Sequence, residues 1–453
     1  SIATYNSCAP PNLTSENGTV TTDPIEVCEI FNNFFANIGT NLANKIPKQF
    51  HNSNTYTLPI VNHNTKHHNL SQFTPCTINE VSKIIDNLDP NTSTGLDGIS
   101  TKAIKCIKNP IINKLTKCLN QLLAEGIFPD SLNVARVTPL YKAGNKSNPG
   151  NYRPVSVLPT FSKIFEKIIY NRLEKYLTEI NFIYDKQYGF RPKSNTVGAT
   201  IDLVTTIKTK VDQREVAIGV FIDLKKAFDT VSHTLLLEKL QHIGIIETAH
   251  KILESYLKSR YQIVKIGSHQ SKSKLLTCGV PQGSLLAPLL FLVYVNNIHQ
   301  AGMQGHLTLY ADDTCLFYFG KNLEELMGNA QDDLNILQKW FQCNLLTINA
   351  SKTSYMIYSA KNKKLPNIPN LTINGEVLQK TFEEKYLGLT LNKHLTWKSH
   401  LINIKNKLSS LVGSLHKIVR CIPKQARLLI YNALVKPHLL YLIEIWGKQV
   451  RLI

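Results

Sequence analysis

Three aspartates lie at positions where strands of a sheet are expected to end. Asp223 follows the apolar run VAIGVFI, and Asp312 and Asp313 lie between the apolar segments LTLY and CLFYF. Short runs rich in β-branched and aromatic residues favour buried strands. The two apolar segments on either side of Asp312 and Asp313 predict a hairpin with these two acids at its tip. If the strand before Asp223 and this hairpin are neighbours in one sheet, three carboxylates meet at one edge.

Three carboxylates held together predict a particular chemistry. They repel one another and are hard to keep ionised without cations. Two Mg²⁺ (or Mn²⁺) ions, about 4 Å apart, would relieve the repulsion and clamp the attacking and leaving oxygens of a phosphoryl transfer. An Asp-Asp pair alone is more often a solvated turn. The apolar flanks and the second strand-end acid favour a metal site formed by Asp223, Asp312 and Asp313.

The elements that must position these acids are predicted to be a mixture of helices and strands. Of the 453 residues, 43% are hydrophobic and 18% charged, which is typical of a globular rather than a disordered chain. Apolar residues follow helical spacing over Thr77–Leu88, Ile104–Leu123 and Ile164–Leu177. Strands are expected to cluster between residues 215 and 391, with one over Tyr386–Leu391. The fold class is therefore predicted to be α+β. No apolar run approaches the roughly 18–20 residues of a membrane span, so no membrane partner is expected.

The charge of the chain is unevenly distributed. The net charge is +19, yet residues 1–130 hold 9 basic and 10 acidic side chains. From Leu391 onward there are 11 basic groups and one acid. A basic excess confined to one region indicates a polyanionic partner such as nucleic acid. The nine cysteines contain no C-x-x-C pair, so neither a zinc ribbon nor a disulfide framework is predicted, and a reduced, intracellular compartment is expected.

The motifs around the acids resemble those of a known enzyme family. FIDLKKAFDTV, GVPQGSLLAPLLF and YADDT, in this order, are similar to the polymerase motifs of reverse transcriptases. NYRPVSVLPTFSKIFEKII, QYGFRPKSNT, LTINASKTSYM and EKYLGLTL resemble the non-long-terminal-repeat (LINE-type) retrotransposons, particularly the jockey-like group. The resemblance runs from about Thr77 to Gly447.

The resemblance implies an RNA-directed DNA polymerase with a right-hand fold of fingers, ferredoxin-like palm and helical thumb. Its partners would be an RNA template, a DNA primer and deoxynucleoside triphosphates, and it would act in a nuclear and cytoplasmic ribonucleoprotein. The expected division begins with an N-terminal, poorly ordered linker (1–76), with one helix over Pro24–Ile46, and a helical extension (77–135). Fingers (136–214), a palm with inserted helices (215–391) and a basic, thumb-like, truncated helical region (392–453) follow.

The resemblance also assigns roles to individual residues. Asp223 and Asp312 would ligate the catalytic metals, and Asp313 would complete the acidic cluster. Lys352 would donate a proton to the departing pyrophosphate, and residues 188–191 would line the template path. The residues expected to bind the incoming nucleotide are Phe228 beside the sugar 2′ carbon, Gln282 in the PQG turn, and Arg153 and Lys142 on the triphosphate.

Two alternative functions share parts of this pattern. An RNA-copying RNA polymerase of viral type would carry the same acids, but Phe228 argues against it because such an enzyme must admit the ribose hydroxyl. A catalytically inactive RNA-binding remnant or a maturase-like protein would use the basic surface without synthesis. The three intact aspartates argue against the second alternative.

Overall fold

The computed structural model describes residues 12–14, 18, 20–50, 58, 69–418 and 422–447. The chain forms two compact units: a first unit of residues 1–184, 224–302 and 339–347, and a second unit of residues 185–223, 303–338 and 348–453. The predicted five-segment division stays a prediction. Much of its N-terminal linker (residues 1–11, 15–17, 19, 51–57 and 59–68) and the last residues of its thumb-like region (448–453) lie outside the described residues.

The secondary structure of the described residues mixes helices and strands throughout. The α-helices are α1 (Pro24–Ala43), α2 (Ile78–Asn87), α3 (Thr101–Cys106), α4 (Lys108–Glu125), α5 (Thr160–Glu179), α6 (Thr196–Asp212), α7 (His233–His242), α8 (Glu247–Leu257), α9 (Ala287–Val295), α10 (Leu323–Cys343), α11 (Lys398–Ile418), α12 (Lys424–Ile430), α13 (Lys436–Leu440) and α14 (Ile443–Trp446). The strands are β1 (Leu13–Thr14), β2 (Val20–Thr21), β3 (Val134–Tyr141), β4 (Tyr152–Val157), β5 (Val216–Ile222), β6 (Tyr261–Ile266), β7 (His269–Gln270), β8 (Lys274–Leu275), β9 (His306–Tyr310), β10 (Asp313–Gly320), β11 (Ser354–Tyr358), β12 (Thr372–Ile373), β13 (Glu376–Val377), β14 (Gln379–Lys380), β15 (Glu383–Tyr386) and β16 (Leu389–Asn392).

The second unit is built on a sheet with the order β14-β11-β5-β10-β9. β5 lies at its centre, and all seven of its residues are buried. β10 runs antiparallel to both β5 and β9. A core cluster that includes Leu203 and Ile207 of α6 and Phe221 of β5 packs in this unit. The structure thus confirms the predicted hairpin and places it beside the predicted strand.

The first unit contains a second sheet, part of which lies outside the region where strands were expected. Its order is β4-β3-β6-β7, with β8 also paired to β6. β3 and β4 lie before residue 215, outside the region in which strands were expected to cluster. Helix α1 packs on β6, and Val27, Phe31 and Phe35 share a core cluster with Val264 of that strand. Helix α1 is the helix expected over Pro24–Ile46, and it begins after the Asp23 cap with Pro24 in its first turn.

The helical periodicities locate helices correctly but not always their ends. α2 and α5 cover the predicted spans, whereas the span Ile104–Leu123 is divided into α3 and α4 at Ile107. The strand predicted over Tyr386–Leu391 is instead the hairpin β15–β16, which turns at Leu387 and Gly388, both with positive φ. None of the helices among the described residues combines the length and the apolarity that a membrane span requires.

Candidate active site

The three aspartates form an acidic edge at one end of the sheet in the second unit. β10 and β5 pair so that Thr314 lies opposite Ile222. One further step of this antiparallel register brings Asp313 opposite Asp223. Directly opposed residues on neighbouring strands have Cα atoms about 4.5–5.5 Å apart. The hairpin therefore carries Asp312 and Asp313 to the end of β5, as the sequence predicted.

The electrostatics of the acidic edge show that its carboxylates interact. The pKa of Asp313 is raised to about 6 by partial burial and by the charges of Asp312 and Asp223. The side chain of Asp313 still reaches solvent, so burial alone does not account for the shift. A nearby positive charge would lower this pKa, whereas the negative charges of the neighbouring acids raise it. The edge is accordingly a concentration of negative charge.

Asp223 is oriented by a loop that sequence reasoning had assigned to another role. Its Oδ2 accepts a hydrogen bond from Asn349 Nδ2 at 2.8 Å, and its backbone N–H donates to Thr353 Oγ1 at 3.3 Å. The carbonyl of Asp223 also accepts from the Asn349 N–H at 2.8 Å. Lys352 lies in this loop with its side chain exposed. The INASKT motif thus fixes an acid as well as presenting a lysine, and Asn349 and Thr353 were missed because only the lysine was considered.

The turn that carries Asp312 is fixed from a neighbouring segment. Ala311 has φ 57°, a left-handed conformation that costs a residue with a Cβ of order 1 kcal/mol or more. Gln187 Oε1 accepts hydrogen bonds from the Ala311 N–H at 2.9 Å and from the Gly189 N–H at 2.8 Å. A Cβ on Gly189 would lie 2.3 Å from the Ala311 nitrogen, so only glycine allows this approach. The QYGF segment therefore holds the acidic turn in place.

The segment expected to line the template path consequently has a second role in the structure. Tyr188 donates from its hydroxyl to Asp202 Oδ2 at 2.9 Å, and its backbone pairs with Leu309 of β9. Phe190 is exposed and has φ 55°. Arg191 Nη1 donates to the carbonyl of Gln187. The exposed Phe190 is compatible with a stacking role, which stays a prediction.

The chemistry of the acidic edge suits divalent metal ions. Hard cations such as Mg²⁺ take carboxylate oxygens as ligands. Burial and the repulsion of Asp312 and Asp223 raise the pKa of Asp313, and bound cations would offset that repulsion. The three side chains are not arranged as a finished ligand set: among the described residues, no group of three or more His, Cys, Asp or Glu side chains has the spacing of a metal site. The residue types nevertheless fit such ions.

A second charged site, in the first unit, surrounds an acid that the sequence interpretation did not single out. Gln282 Nε2 donates to Asp229 Oδ1 at 2.9 Å, and Asp229 Oδ2 is buried without a hydrogen-bond partner. Burial raises the pKa of Asp229 to about 6, against the lowering effects of the Gln282 hydrogen bond and of the charges of Lys226, Arg153 and Lys142. We call these five residues the Asp229 cluster.

The Asp229 cluster is assembled by contacts that two turns make with the backbone of β4 and the residues before it. A Cβ on Gly283 would lie 2.2 Å from the Ser156 carbonyl oxygen of β4, and the Ser156 N–H donates to the Gln282 carbonyl at 2.9 Å. Lys226, with φ 51°, donates to the carbonyls of Gly150 and Tyr152 at 3.1 and 2.9 Å. The PQG turn and the KAFD turn are thereby fixed beside β4.

Three of the four predicted nucleotide-binding residues therefore meet in the first unit. Gln282, Arg153 and Lys142 gather around Asp229, and Arg153 and Lys142 are exposed at the surface. Phe228 is the residue before Asp229, and its ring stacks on Phe291 at a centroid distance of 4.5 Å. The segment after Asp223 is not a continuous helix. It contains instead a short 3-10 turn over Ala227–Asp229, and α7 begins only at His233, which is why Asp229 was overlooked.

Comparison with known proteins adds the family to this geometry. Residues 142–391, more than half of the chain, match the family "Reverse transcriptase (RNA-dependent DNA polymerase)". The chain belongs to the reverse transcriptase family. The matched region includes every predicted site residue, from Lys142 to Lys352.

The curated relatives of this reverse transcriptase chain come from mobile elements. The chain is 30% identical over 82% of its length to the probable RNA-directed DNA polymerase from transposon BS of Drosophila melanogaster, covering 42% of that protein. It is 27% identical, over 82% of this chain and 41% of the other, to the RNA-directed DNA polymerase from mobile element jockey of the same species. It is 28% identical, over 83% of this chain and 42% of the other, to the probable RNA-directed DNA polymerase from transposon X-element of that species. The chain spans about two fifths of the length of these relatives, and they confirm the predicted resemblance to jockey-like elements.

Proposed function

We propose that this chain is an RNA-directed DNA polymerase, which transfers a nucleotide from a deoxynucleoside triphosphate to the 3′-hydroxyl of a primer on an RNA template. The observation that carries the proposal is the acidic edge. There the register of β10 and β5, continued by one residue, places Asp313 opposite Asp223, and burial and neighbouring acids raise the pKa of Asp313 to about 6. Family membership supports the same reaction. The relatives are named as RNA-directed DNA polymerases of mobile elements.

The acidic edge would perform the chemistry. Asp223 and Asp312 would hold two divalent metal ions, with Asp313 adding negative charge beside them. When bound, such ions lower the barrier to phosphoryl transfer by neutralising charge on the reacting oxygens. Asn349 fixes the carboxylate of Asp223, and Gln187 fixes the turn that presents Asp312. Lys352, three residues after Asn349, would supply a proton to the pyrophosphate that leaves.

The Asp229 cluster would bind the nucleotide. Arg153 and Lys142 present exposed cations that suit a triphosphate. Asp229 receives the Nε2 hydrogen bond of Gln282, which fixes the orientation of that amide and leaves its oxygen as the remaining acceptor. Phe228, supported by stacking on Phe291, would exclude a ribose 2′-hydroxyl by its bulk.

The right-hand arrangement is part of the same proposal. The sheet of the second unit, with its acidic edge, would be the palm. The β3–β4 strands with Arg153 would belong to the fingers, and the basic helices α11–α14 would form a thumb. We further propose that the chain acts in a nuclear and cytoplasmic ribonucleoprotein.

Primer extension tests the proposal directly. The purified chain is incubated with poly-A RNA, an oligo-dT DNA primer and Mg²⁺, and incorporation of dTTP is compared with that of UTP. We expect extension with dTTP that is abolished by EDTA, and little or none with UTP. Equal use of the two nucleotides would contradict the role of Phe228. Tight RNA binding without extension under either Mg²⁺ or Mn²⁺ would contradict the assignment as a polymerase.

A further inference from the structure

Helix α1 contacts the elements that carry the Asp229 cluster, although it precedes the family match, which begins at residue 142. It packs on the 3-10 turn over Ala227–Asp229 and on the turn over Pro149–Asn151, where β4 begins. All of these elements belong to the first unit. The nucleotide-binding role proposed for the cluster assigns no part to α1, so the proposed reaction leaves these contacts unexplained.

One of the contacts is made by Gly39, a buried glycine within α1. A Cβ on Gly39 would lie 2.2 Å from the Asp229 carbonyl oxygen and 2.5 Å from Cys278 Sγ. Glycine is less favourable than alanine in the interior of a helix, so helix formation alone would favour alanine at this position. The absence of a side chain at Gly39 therefore serves the close approach of α1 to the backbone of Asp229.

The Asp229 carbonyl is also held by the residues before the PQG turn. It accepts a hydrogen bond from Cys278 Sγ at 3.6 Å, and a Cβ on Gly279 would lie 2.9 Å from it. The N–H of Val280 donates to the Phe228 carbonyl at 2.8 Å. Asp229 therefore cannot move away from α1 without disturbing the segment that leads into the PQG turn. The position of α1 is in this way coupled to both turns of the cluster.

Two aromatic residues of α1 contact the groups that hold Lys226. The Phe31 ring packs edge-on against Tyr152 at a centroid distance of 4.8 Å. Phe34 lies beside Gly150, and Lys226 Nζ is 5.9 Å from the centroid of the Phe34 ring. The carbonyls of Gly150 and Tyr152 are the acceptors of the Lys226 ammonium group. Helix α1 thus supports a cation of the cluster as well as the backbone of its acid.

We propose that α1 is a positioning helix for nucleotide binding: through Gly39 it fixes the backbone of Asp229, whose carboxylate in turn fixes the amide of Gln282. This inference rests on the nucleotide-binding role proposed for the Asp229 cluster. The turn over Ala227–Asp229 has only three residues, whereas α1 has 20 and is packed on β6. A long packed helix can hold a short turn in one position, as a binding site requires. Helix α1 itself would contact neither the nucleotide nor the metal ions.

The first test compares alanine substitutions at two helical glycines. Extension of an oligo-dT primer on poly-A RNA is measured at varied dTTP for the wild-type chain, Gly39→Ala and Gly328→Ala. Gly328 lies within α10, where a Cβ would meet nothing within 4 Å outside its own helix. We expect Gly39→Ala to raise KM for dTTP roughly 5-fold with kcat changed less than about 2-fold, because a displaced Gln282 weakens ground-state and transition-state binding alike. Gly328→Ala should leave both constants within about 2-fold.

A second control separates positioning from the stability of α1. Val27 is buried in the core cluster that it shares with Val264, so Val27→Ala leaves a cavity where α1 packs on β6 and does not alter Gly39. Gly39→Ala and Val27→Ala should each lower the unfolding midpoint by a few degrees, but only Gly39→Ala should raise KM. An equal rise of KM in Val27→Ala, or wild-type KM in Gly39→Ala, would overturn the proposal.

A double variant tests whether α1 acts through Asp229. In an Asp229→Ala chain the acceptor that orients Gln282 is already absent. Adding Gly39→Ala should therefore raise KM by less than about 2-fold, compared with roughly 5-fold in the wild-type background. Equal effects of Gly39→Ala in the two backgrounds would contradict the route through Asp229.

Binding of dTTP to a stalled complex separates this inference from the proposed function. The primer ends in a dideoxynucleotide, so no transfer can follow, and the Kd of dTTP is measured with Mg²⁺ for the wild-type chain and Gly39→Ala. We expect Kd to rise roughly 5-fold in Gly39→Ala. If the wild-type chain extends a normal primer but Kd is unchanged in Gly39→Ala, the role of α1 is refuted and the polymerase assignment stands. If Kd rises in Gly39→Ala but the wild-type chain extends no primer, the role of α1 stands and the polymerase assignment is refuted.

Discussion

The acidic edge of the second unit and the Asp229 cluster of the first unit each contain an aspartate whose pKa is about 6, but for different reasons. At the acidic edge, burial and two like charges raise the pKa of Asp313. In the Asp229 cluster, burial raises the pKa of Asp229 against a hydrogen bond and three cations that lower it. The first arrangement is short of positive charge, whereas the second already contains its own.

The difference indicates what each region requires from outside the protein. Excess negative charge at the acidic edge is relieved by cations that must be bound, so this edge suits a metal-dependent step. The Asp229 cluster has exposed cations on Arg153 and Lys142 and a fixed amide on Gln282, so it suits an anionic ligand. Changes in the acidic edge are therefore expected to affect kcat or the pH dependence of stability, whereas a change in the Asp229 cluster is expected to affect KM.

The largest effect is expected from the acidic edge. Replacing Asp312 with Asn removes a charge on which bound metal would depend while preserving side-chain size. We expect kcat for primer extension to fall roughly 10³-fold, because the metal clamp contributes several kcal/mol to transition-state stabilisation. Single-turnover extension and circular dichroism measure activity and fold. The matched control is Asp332→Asn, an exposed acid of α10, which should retain activity within about 2-fold. Wild-type-like extension by Asp312→Asn would refute the site.

A smaller effect, on a different constant, is expected from the Asp229 cluster. Asp229→Ala removes the acceptor that orients Gln282. We expect KM for dTTP to rise roughly 10-fold with kcat changed less than about 3-fold, since a lost bound-state orientation weakens ground-state and transition-state binding alike. Glu238→Ala, which removes an exposed acid of α7, is the control. A loss confined to kcat would place Asp229 in the chemical step and erase the distinction between the two regions.

The contrast also explains which parts could be predicted from the sequence. The acidic edge depends on two strands and a tight turn, and apolar runs predict such elements because a wholly buried strand must be apolar. The Asp229 cluster depends on the β3–β4 sheet, and both strands contain proline, which argues against a strand assignment. In the structure Pro139 and Pro154 lie opposite each other. In β4 the Ser156 N–H points away from β3, towards Gln282. Because directions along a strand repeat every two residues, position 154 faces the same way as position 156. The N–H that Pro154 lacks would therefore lie on the outer side of β4, where it would not pair with β3.

Other misses have equally local causes. The β15–β16 hairpin turns at Leu387 with φ 43° and Gly388 with φ 86°. Leucine rarely adopts a positive φ, so YLGLTL favours a single strand when only the residue types are considered. Gln187 was passed over because its role is to accept two backbone N–H bonds, which no spacing rule detects. The three acids of the acidic edge were found from the sequence, whereas Gln187, which positions them through the backbone, was not.

Gln187 allows the positioning role to be tested separately from charge. Gln187→Met preserves side-chain length but removes the acceptor of the Ala311 and Gly189 N–H groups. The Gln187 Nε2 makes no hydrogen bond, so no donated bond is lost. We expect kcat to fall about 10-fold, because small displacements of reacting groups cost one to two orders of magnitude. KM for dTTP should stay within about 2-fold. Gln121→Met, on the exposed face of α4, is the control. A rise in KM without a fall in kcat would show that Gln187 does not position the acidic turn.

The smallest effect concerns stability and follows from the raised pKa of Asp313. A carboxyl group whose pKa is higher in the folded than in the unfolded chain favours folding at low pH. For Asp313 the pKa is about 3.9 in the unfolded chain and about 6 in the folded chain. This contribution to stability is therefore lost as the pH rises from about 3.9 through about 6. Asp313→Asn should therefore leave the unfolding midpoint in EDTA unchanged near pH 4 and raise it by a few degrees above pH 7. Added Mg²⁺ should reduce the difference, because the ion stabilises the wild-type chain. Asp332→Asn should show no such dependence. A midpoint difference that is independent of pH would mean that the like charges of the acidic edge do not destabilise the fold.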